Sequence, residues 1–357
     1  MRDSLPENVA ERVVAWQASH GRNHLPWQKT RDPYRVWLSE IMLQQTQVAT
    51  VLGYYARFLA RFPDVAALAR ADQDEVMGLW SGLGYYTRAR NLHRCAQRVV
   101  DAYGGEFPRS AQELATLPGI GRSTAGAIAA FCFSERVPIL DANVRRVLTR
   151  VLGFEEDLAQ AKNERALWGA AQSLLPTTDL VDAMPRYTQG LMDLGASVCT
   201  PRSPNCQACP LVTCCAAFAA GDPERYPVKT RKLLRRAESW YLLVLRNAAG
   251  AVWLQRRPSE GIWAGMHCVP VFADRAALQD CVASLAEAND WAMEELPSFV
   301  HALTHRDLHL HPVLVTAGAS PQPVLEPGEW FGPEAWQGMG LPAPIRKLLE
   351  STRSALW

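Results

Sequence analysis

The spacing Cys199-x6-Cys206-x2-Cys209-x5-Cys215 constrains this chain more than any other feature of its sequence. Four soft thiolates in one short loop close around a [4Fe–4S] cluster or a zinc ion, and the metal then dictates the path of the loop. The competing reading is a pair of short disulfides, which a chain without a secretory signal does not favour. Spacing alone does not choose between iron and zinc, and Cys214, beside Cys215, leaves a second register open. Cys95, Cys132, Cys268 and Cys281 stand alone and read as small buried hydrophobes.

Around that loop the chain reads as helical. Apolar residues recur at three- and four-residue spacing through 9–18, 36–48, 52–62, 86–100, 124–133, 144–152 and 180–194. After a basic segment the pattern changes. Residues 240–246 and 251–257 read as strands around Asn247-Ala248-Ala249-Gly250, a hairpin signal. Residues 273–288 and 342–349 read as helices, 299–303 and 308–315 as strands. These patterns predict an all-α domain over 1–220, a basic linker over 221–238 and a smaller α+β domain over 239–357, which suits a length of 357 residues.

Charge and hydropathy narrow the class. The chain is 48% apolar and 20% charged, which excludes intrinsic disorder. No run of about 18 uncharged apolar residues exists, so no membrane span is predicted. The first thirty residues carry no apolar signal-peptide region, and the expected location is a bacterial cytoplasm, on the nucleoid. Residues 226–239 hold five basic side chains and one acidic, a local charge of +4, whereas 240–357 carry −4. No acid separates Glu75 from Asp101, while Arg88, Arg90, Arg94 and Arg98 all fall there. Such a face suits a polyanion; the bland alternative is a solvated helix face.

Two further motifs bear on that polyanion. Leu117-Pro118-Gly119-Ile120-Gly121 leads straight into a helical stretch, and with Leu114 and Leu117 packing a short leading helix it makes a helix–hairpin–helix. A Gly-x-Gly turn at a helix N-terminus presents backbone N–H groups to a phosphate without reading a base. Some twenty residues later, Asp141 follows the apolar run Val137-Pro138-Ile139-Leu140. Alone it reads as an N-cap; after the hairpin it lies where a bound phosphate would place a deoxyribose.

Together, the hairpin, the following Asp and the four-cysteine loop resemble the endonuclease III superfamily of DNA glycosylases. Within it, Ser39-Glu40-Ile41-Met42-Leu43-Gln44-Gln45-Thr46-Gln47-Val48, Gly82-Leu83-Gly84-Tyr85-Tyr86-Thr87-Arg88-Ala89-Arg90-Asn91-Leu92 and Leu25-Pro26-Trp27 resemble the MutY adenine glycosylases. The resemblance is close over 5–220 and weaker beyond. It implies a helix–hairpin–helix glycosylase domain with an iron–sulfur loop, followed by a Nudix-like domain. It also implies removal of adenine mispaired with 8-oxoguanine or guanine, by extrusion of the base from the duplex.

The resemblance assigns roles to positions of this sequence. Glu40 matches the acid that protonates the leaving adenine. Asp141 matches the carboxylate that stabilises the sugar cation, by charge or through a transient bond, and Asn143 supports it by hydrogen bonding. Ser123 stands where bifunctional relatives carry a lysine, which implies base removal without strand cleavage. Lys29 and Lys162, the lysines of 1–220, lie outside that motif. Gln44, Gln45, Tyr85, Arg88, Gly119 and Gly121 are implied at the DNA, and Trp27, Gln28 and Gln189 in the adenine pocket. Cys199, Cys206, Cys209 and Cys215 would hold a [4Fe–4S] cluster that shapes a DNA-binding loop, with Arg202 near phosphate. The protein is expected to act as a monomer on double-stranded DNA, with repair and replication factors as partners.

The carboxy-terminal part resembles a Nudix fold through Gly261-Ile262-Trp263-Ala264-Gly265-Met266-His267-Cys268-Val269-Pro270, but 274–287 lacks the glutamate set that holds magnesium. It reads as a binding module for 8-oxoguanine, with Leu303-Thr304-His305 aligned to a family Phe-Ser-His and Leu303 in place of the aromatic. The competing functions are a pyrimidine-lesion glycosylase/lyase, opposed by Ser123, and a non-enzymatic sensor, opposed by Glu40 with Asp141.

Overall fold

The computed structural model describes residues 6–230, 234–286, 291–317, 325 and 327–354. Its helices are α1 (Val9–His20), α2 (Pro33–Leu43), α3 (Val48–Arg61), α4 (Val65–Arg70), α5 (Gln73–Trp80), α6 (Thr87–Tyr103), α7 (Ala111–Leu114), α8 (Arg122–Phe133), α9 (Ala142–Leu152), α10 (Ala161–Ser173), α11 (Leu180–Ser197) and α12 (Ala216–Ala219). Then follow β1 (Arg236–Arg246), β2 (Val252–Arg256), β3 (His267–Cys268), β4 (Val271–Phe272), α13 (Arg275–Ala286), β5 (Trp291–Glu295), β6 (Phe299–Ala302), β7 (Arg306–Ala317), β8 (Glu329–Phe331), α14 (Pro333–Gln337) and α15 (Ala343–Ser354). Among the described residues no helix is long and apolar enough to cross a membrane.

Two compact units emerge. The first takes the described residues of 1–55, 62–69 and 94–232, the second those of 56–61, 70–93 and 233–357. This division differs from the segments 1–220 and 239–357 expected from sequence, because 56–61 and 70–93 group with the carboxy-terminal part. Polar and close contacts explain the grouping. The Tyr86 and Ser81 hydroxyls donate to the Leu341 carbonyl at 3.1 and 3.3 Å. A Cβ on Gly340 would stand 2.6 Å from that of Met77, so only glycine admits this approach. Residues 231–233 of the expected linker, and 287–288 of the helix expected over 273–288, lie outside the described residues.

The first unit packs α1, α8, α9, α10 and α11 around Val13, Val144, Val147, Leu148, Leu167, Met184 and Leu194. Helix α10 escaped the periodicity reading because its buried stripe is sparse: Asn163, Leu167, Trp168 and Ala171. One expected helix is broken. Residues 36–48 form no continuous helix: α2 ends at Leu43 and α3 starts at Val48, with Gln45 in the left-handed region at φ 55°. Apolar spacing cannot register a one-residue reversal of the backbone, and this one puts Gln44 and Gln45 on a turn.

The second unit is built on a mixed sheet in the order β3-β2-β1-β7-β5, with β4 on β1, β6 on β7 and β8 on β2. β1 and β7 run parallel from Arg236↔Arg306 to Arg246↔Thr316. The predicted hairpin is present between β1 and β2: Asn247 Oδ1 accepts from the Ala249 and Ala251 amides at 3.1 and 2.9 Å. Leu243, Leu245, Leu278, Leu285 and Val315 form the core beneath α13. Strands β3, β4 and β8, of two or three residues, are too short to show alternation and were not foreseen, nor was β5.

Candidate active site

A cavity of about 180 Å³ lies in the first unit and gathers Trp27, Gln28, Glu40 and Gln189 with Asn23, Arg31, Ser39, Phe131 and Arg186. That is below the ~300–1,000 Å³ of drug-sized sites and suits one planar base. Asp32 starts α2 by accepting from the Tyr34 amide at 2.9 Å, with Pro33 as the first helical residue. Burial of Val36, Trp37, Leu38, Ile41 and Met42 then fixes the roll of α2 and turns Glu40 to the cavity. Burial, with the nearby Asp141 carboxylate, pushes the Glu40 carboxyl up to about 8 from an ordinary 4.5. Among the described residues no base forms an ion pair with it. Glu40 is therefore a carboxylic acid at neutral pH, able to donate a proton. Neither amide atom of Gln28 has a hydrogen-bond partner although both are buried. An unmade bond costs about 1–3 kcal/mol, and Gln28 lines a cavity whose occupant can make it.

Asp141 caps α9, accepting from the Val144 amide at 2.7 Å. Burial raises its pKa, opposed by the Val144 and Asn143 amides and by Arg146 and Arg145. Asp141 is not among the cavity-lining side chains but acts on Glu40 through space. Two close approaches place it. A Cβ on Gly126 would stand 2.7 Å from the Pro138 carbonyl, and one on Gly195 would stand 2.6 Å from Asn143 Cβ. Gly195→Ala is expected to cost about 1–3 kcal/mol through overpacking, read as a lowered urea midpoint. The Asn143 side-chain oxygen Oδ1 accepts from Arg146 Nη2 at 2.9 Å, and Arg146 also donates to the Gly195 and Cys199 backbone carbonyls at 2.6 and 2.7 Å.

The hairpin forms as expected, with α7 and α8 joined through Gly119 at φ 77°. Gly121 is the N-cap of α8 and offers no side-chain cap, so the first amides of α8 stay available to an anion. Ser123 Oγ accepts from the Leu140 amide at 3.1 Å, so it ties down the segment that ends in Asp141. Gln44 Nε2 donates to Thr124 Oγ1 at 3.4 Å.

In the second unit a wider cavity of about 580 Å³ holds Tyr85, Trp263, His301, Leu303, Thr304 and His305. Tyr85 is 47% exposed and left-handed at φ 48°. Its hydroxyl lies 3.2 Å from Thr304 Oγ1. Arg88, expected at the DNA, lies instead under this loop at 9% exposure. It donates to the Leu83 and Gly84 carbonyls at 3.2 Å and stacks on the Trp80 and Tyr85 rings. Burial lowers its pKa to about 10, so it stays cationic at neutral pH.

Cys199, Cys206, Cys209 and Cys215 line one small cavity with Val147, Arg150 and Pro204. Cys214 points away, its thiol donating to the Leu211 carbonyl at 3.3 Å. Among the described residues no three His, Cys, Asp or Glu side chains are grouped so as to hold a single metal ion. Four thiols around a cavity fit a cluster, whose irons take one thiolate each. Arg150 Nη1 donates to Cys199 Sγ at 3.3 Å.

Sequence reasoning passed over Arg22 and Asp193. Asp193 is 1% exposed and binds Arg22 and Gln189 at the cavity's edge. Its signal was one acid on the apolar stripe of α11, between Met192 and Leu194.

The chain is similar to known proteins along most of its length. Residues 38–172 match the model of the HhH-GPD superfamily of base excision DNA repair proteins, and 241–351 match a NUDIX domain. The chain is 36% identical to an adenine DNA glycosylase of Buchnera aphidicola subsp. Acyrthosiphon pisum, covering 97% of each chain. It is 32% identical to the adenine DNA glycosylase of Homo sapiens, over 94% of this chain and 72% of that one. It is also similar to a solved thermostable thymine-DNA glycosylase, with 28% identity and a TM-score of 0.52, over 59% of this chain and 95% of that one.

Proposed function

The chain belongs to the adenine DNA glycosylases of the HhH-GPD base excision repair superfamily, and from that premise we propose that it removes adenine mispaired with 8-oxoguanine or guanine and leaves an abasic site. The observation that carries this reading is the burial of the Glu40 carboxyl, which pushes its pKa up to about 8, in a base-sized cavity with Trp27, Gln28 and Gln189. Adenine is extruded from the stack into that cavity. Glu40 delivers its proton to N7 as the C1′–N9 bond breaks and the bonding pair passes to the purine. The Asp141 carboxylate stabilises the positive charge left on the sugar. Water then supplies hydroxide to C1′ and its proton returns to Glu40.

Backbone amides at Gly119 and Gly121 meet a phosphate, and Tyr85 wedges into the base step. Thr304 senses the extra N7–H of 8-oxoguanine, with His305 beside it. Cys199, Cys206, Cys209 and Cys215 hold a [4Fe–4S] cluster, which when bound shapes its loop for DNA and takes no part in base excision. With Ser123 in the hairpin, no amine attacks C1′.

A single-turnover assay on a duplex with one adenine opposite 8-oxoguanine tests the reading, each time point split with and without hot alkali. Strand cleavage after alkali alone is expected; cleavage without alkali, or none at all, refutes it. Thr304→Ala is expected to lower the preference for 8-oxoguanine over guanine by a factor of about 5–10, the worth of one hydrogen bond. An unchanged ratio removes Thr304 from recognition.

A further inference from the structure

Protonation at N7 cannot select adenine, because every purine carries N7. Discrimination must arise elsewhere in the cavity. The Gln28 amide has both ends unpaired, so it can turn to suit either a donor or an acceptor. The Gln189 amide cannot. Its Nε2 donates to Asp193 Oδ1 at 2.8 Å. Asp193 is itself fixed by Arg22, whose Nε donates to Oδ1 at 2.7 Å and whose backbone amide donates to Oδ2 at 2.9 Å. A carboxylate accepts and never donates, so only the NH2 end of Gln189 can face it. The carbonyl oxygen is left on the other side.

We propose that Asp193, held by Arg22, is a positioning residue that sets base specificity by fixing the Gln189 carbonyl oxygen as an acceptor for the exocyclic amine of adenine. The proposal rests on the adenine reading above. Adenine presents N6–H2, a donor; hypoxanthine and guanine present O6, an acceptor. Opposite a fixed carbonyl, a 6-oxopurine leaves two acceptors facing each other in a desolvated site. A pocket built for a hydrogen bond rejects a base that cannot make it far more strongly than an apolar pocket rejects a change of shape.

The test compares release of adenine and of hypoxanthine from otherwise identical duplexes opposite 8-oxoguanine. Asp193→Leu removes the acceptor that Gln189 and Arg22 share, so the Gln189 amide is free to present either end to the cavity. The adenine-to-hypoxanthine rate ratio is expected to fall by a factor of about 10, the worth of one hydrogen bond no longer held in a single direction. Gln189→Met should lower the same ratio, and the double variant should lower it no further. Equal losses on both bases in Asp193→Leu, or an unchanged ratio in Gln189→Met, overturn the proposal. If Asp193→Leu does not melt cooperatively, Asp193→Glu decides: it keeps the ion pair but displaces the acceptor by one methylene, and an unchanged ratio again overturns it. A wild type that releases adenine together with an unaltered variant ratio defeats this proposal alone. A wild type that releases neither base defeats the functional reading, and this proposal with it.

Discussion

Glu40→Gln is expected to slow adenine release in single turnover by a factor of about 10²–10⁴, the range that a positioned general acid supplies. The glutamine keeps the volume and the cavity but has no proton to give, so DNA binding should persist. The pH profile is the sharper measurement. With the Glu40 value at about 8, the wild-type rate should drop at low pH as Asp141 takes up a proton and fall above about 8 as the Glu40 acid ionises. In Glu40→Gln that descending limb should vanish.

Stability moves in a related way. Between pH 4.5 and about 8 the folded protein keeps a proton on Glu40 that the unfolded chain has released. The folded state then binds more protons, so unfolding free energy decreases as pH rises through this window and levels off above it. Glu40→Gln removes the slope, and its melting temperature should gain on the wild type from pH 5 to 8. A variant with an unchanged pH profile and an unchanged stability slope would show that Glu40 is an ordinary solvated carboxylate.

Asp141→Asn is expected to slow release by a factor of about 10²–10³, comparable to the loss of one preorganised group at a site of developing charge. The substitution separates two duties of one side chain. Asparagine is as good an N-cap as aspartate, so α9 should keep its bond to the Val144 amide and melting should change little. Asp141→Ala removes the cap too and should cost about 1 kcal/mol more in stability. If Asp141→Asn retains the wild-type rate, the carboxylate stabilises no charge on the sugar and serves α9 alone.

Much of the fold was legible because its signals are local. Helical spacing marked α1, α6, α8, α9 and α11, and Asn247 through Gly250 marked the β1–β2 hairpin. The break at Gln45 was not legible, because one left-handed residue leaves no mark on apolar spacing. Nor was the place of Arg88. A row of arginines reads as a basic face, yet Arg88 is drawn inward by the carbonyls that the Leu83–Gly84 backbone turns toward it.

By itself the sequence determined a helical part followed by an α+β part, the four-cysteine loop and the hairpin, since each lies within a short run of neighbours, and the resemblance these motifs carry pointed to Glu40 and Asp141. Tertiary structure alone decided their chemistry. Glu40 is an acid at neutral pH because its burial and the charge of Asp141 come from segments far apart in the chain. The Gln189 amide has one orientation because Asp193 is tied to Arg22, 171 residues away. Proton affinity and hydrogen-bond direction depend on the surroundings of a group, and those surroundings exist only once the chain has folded.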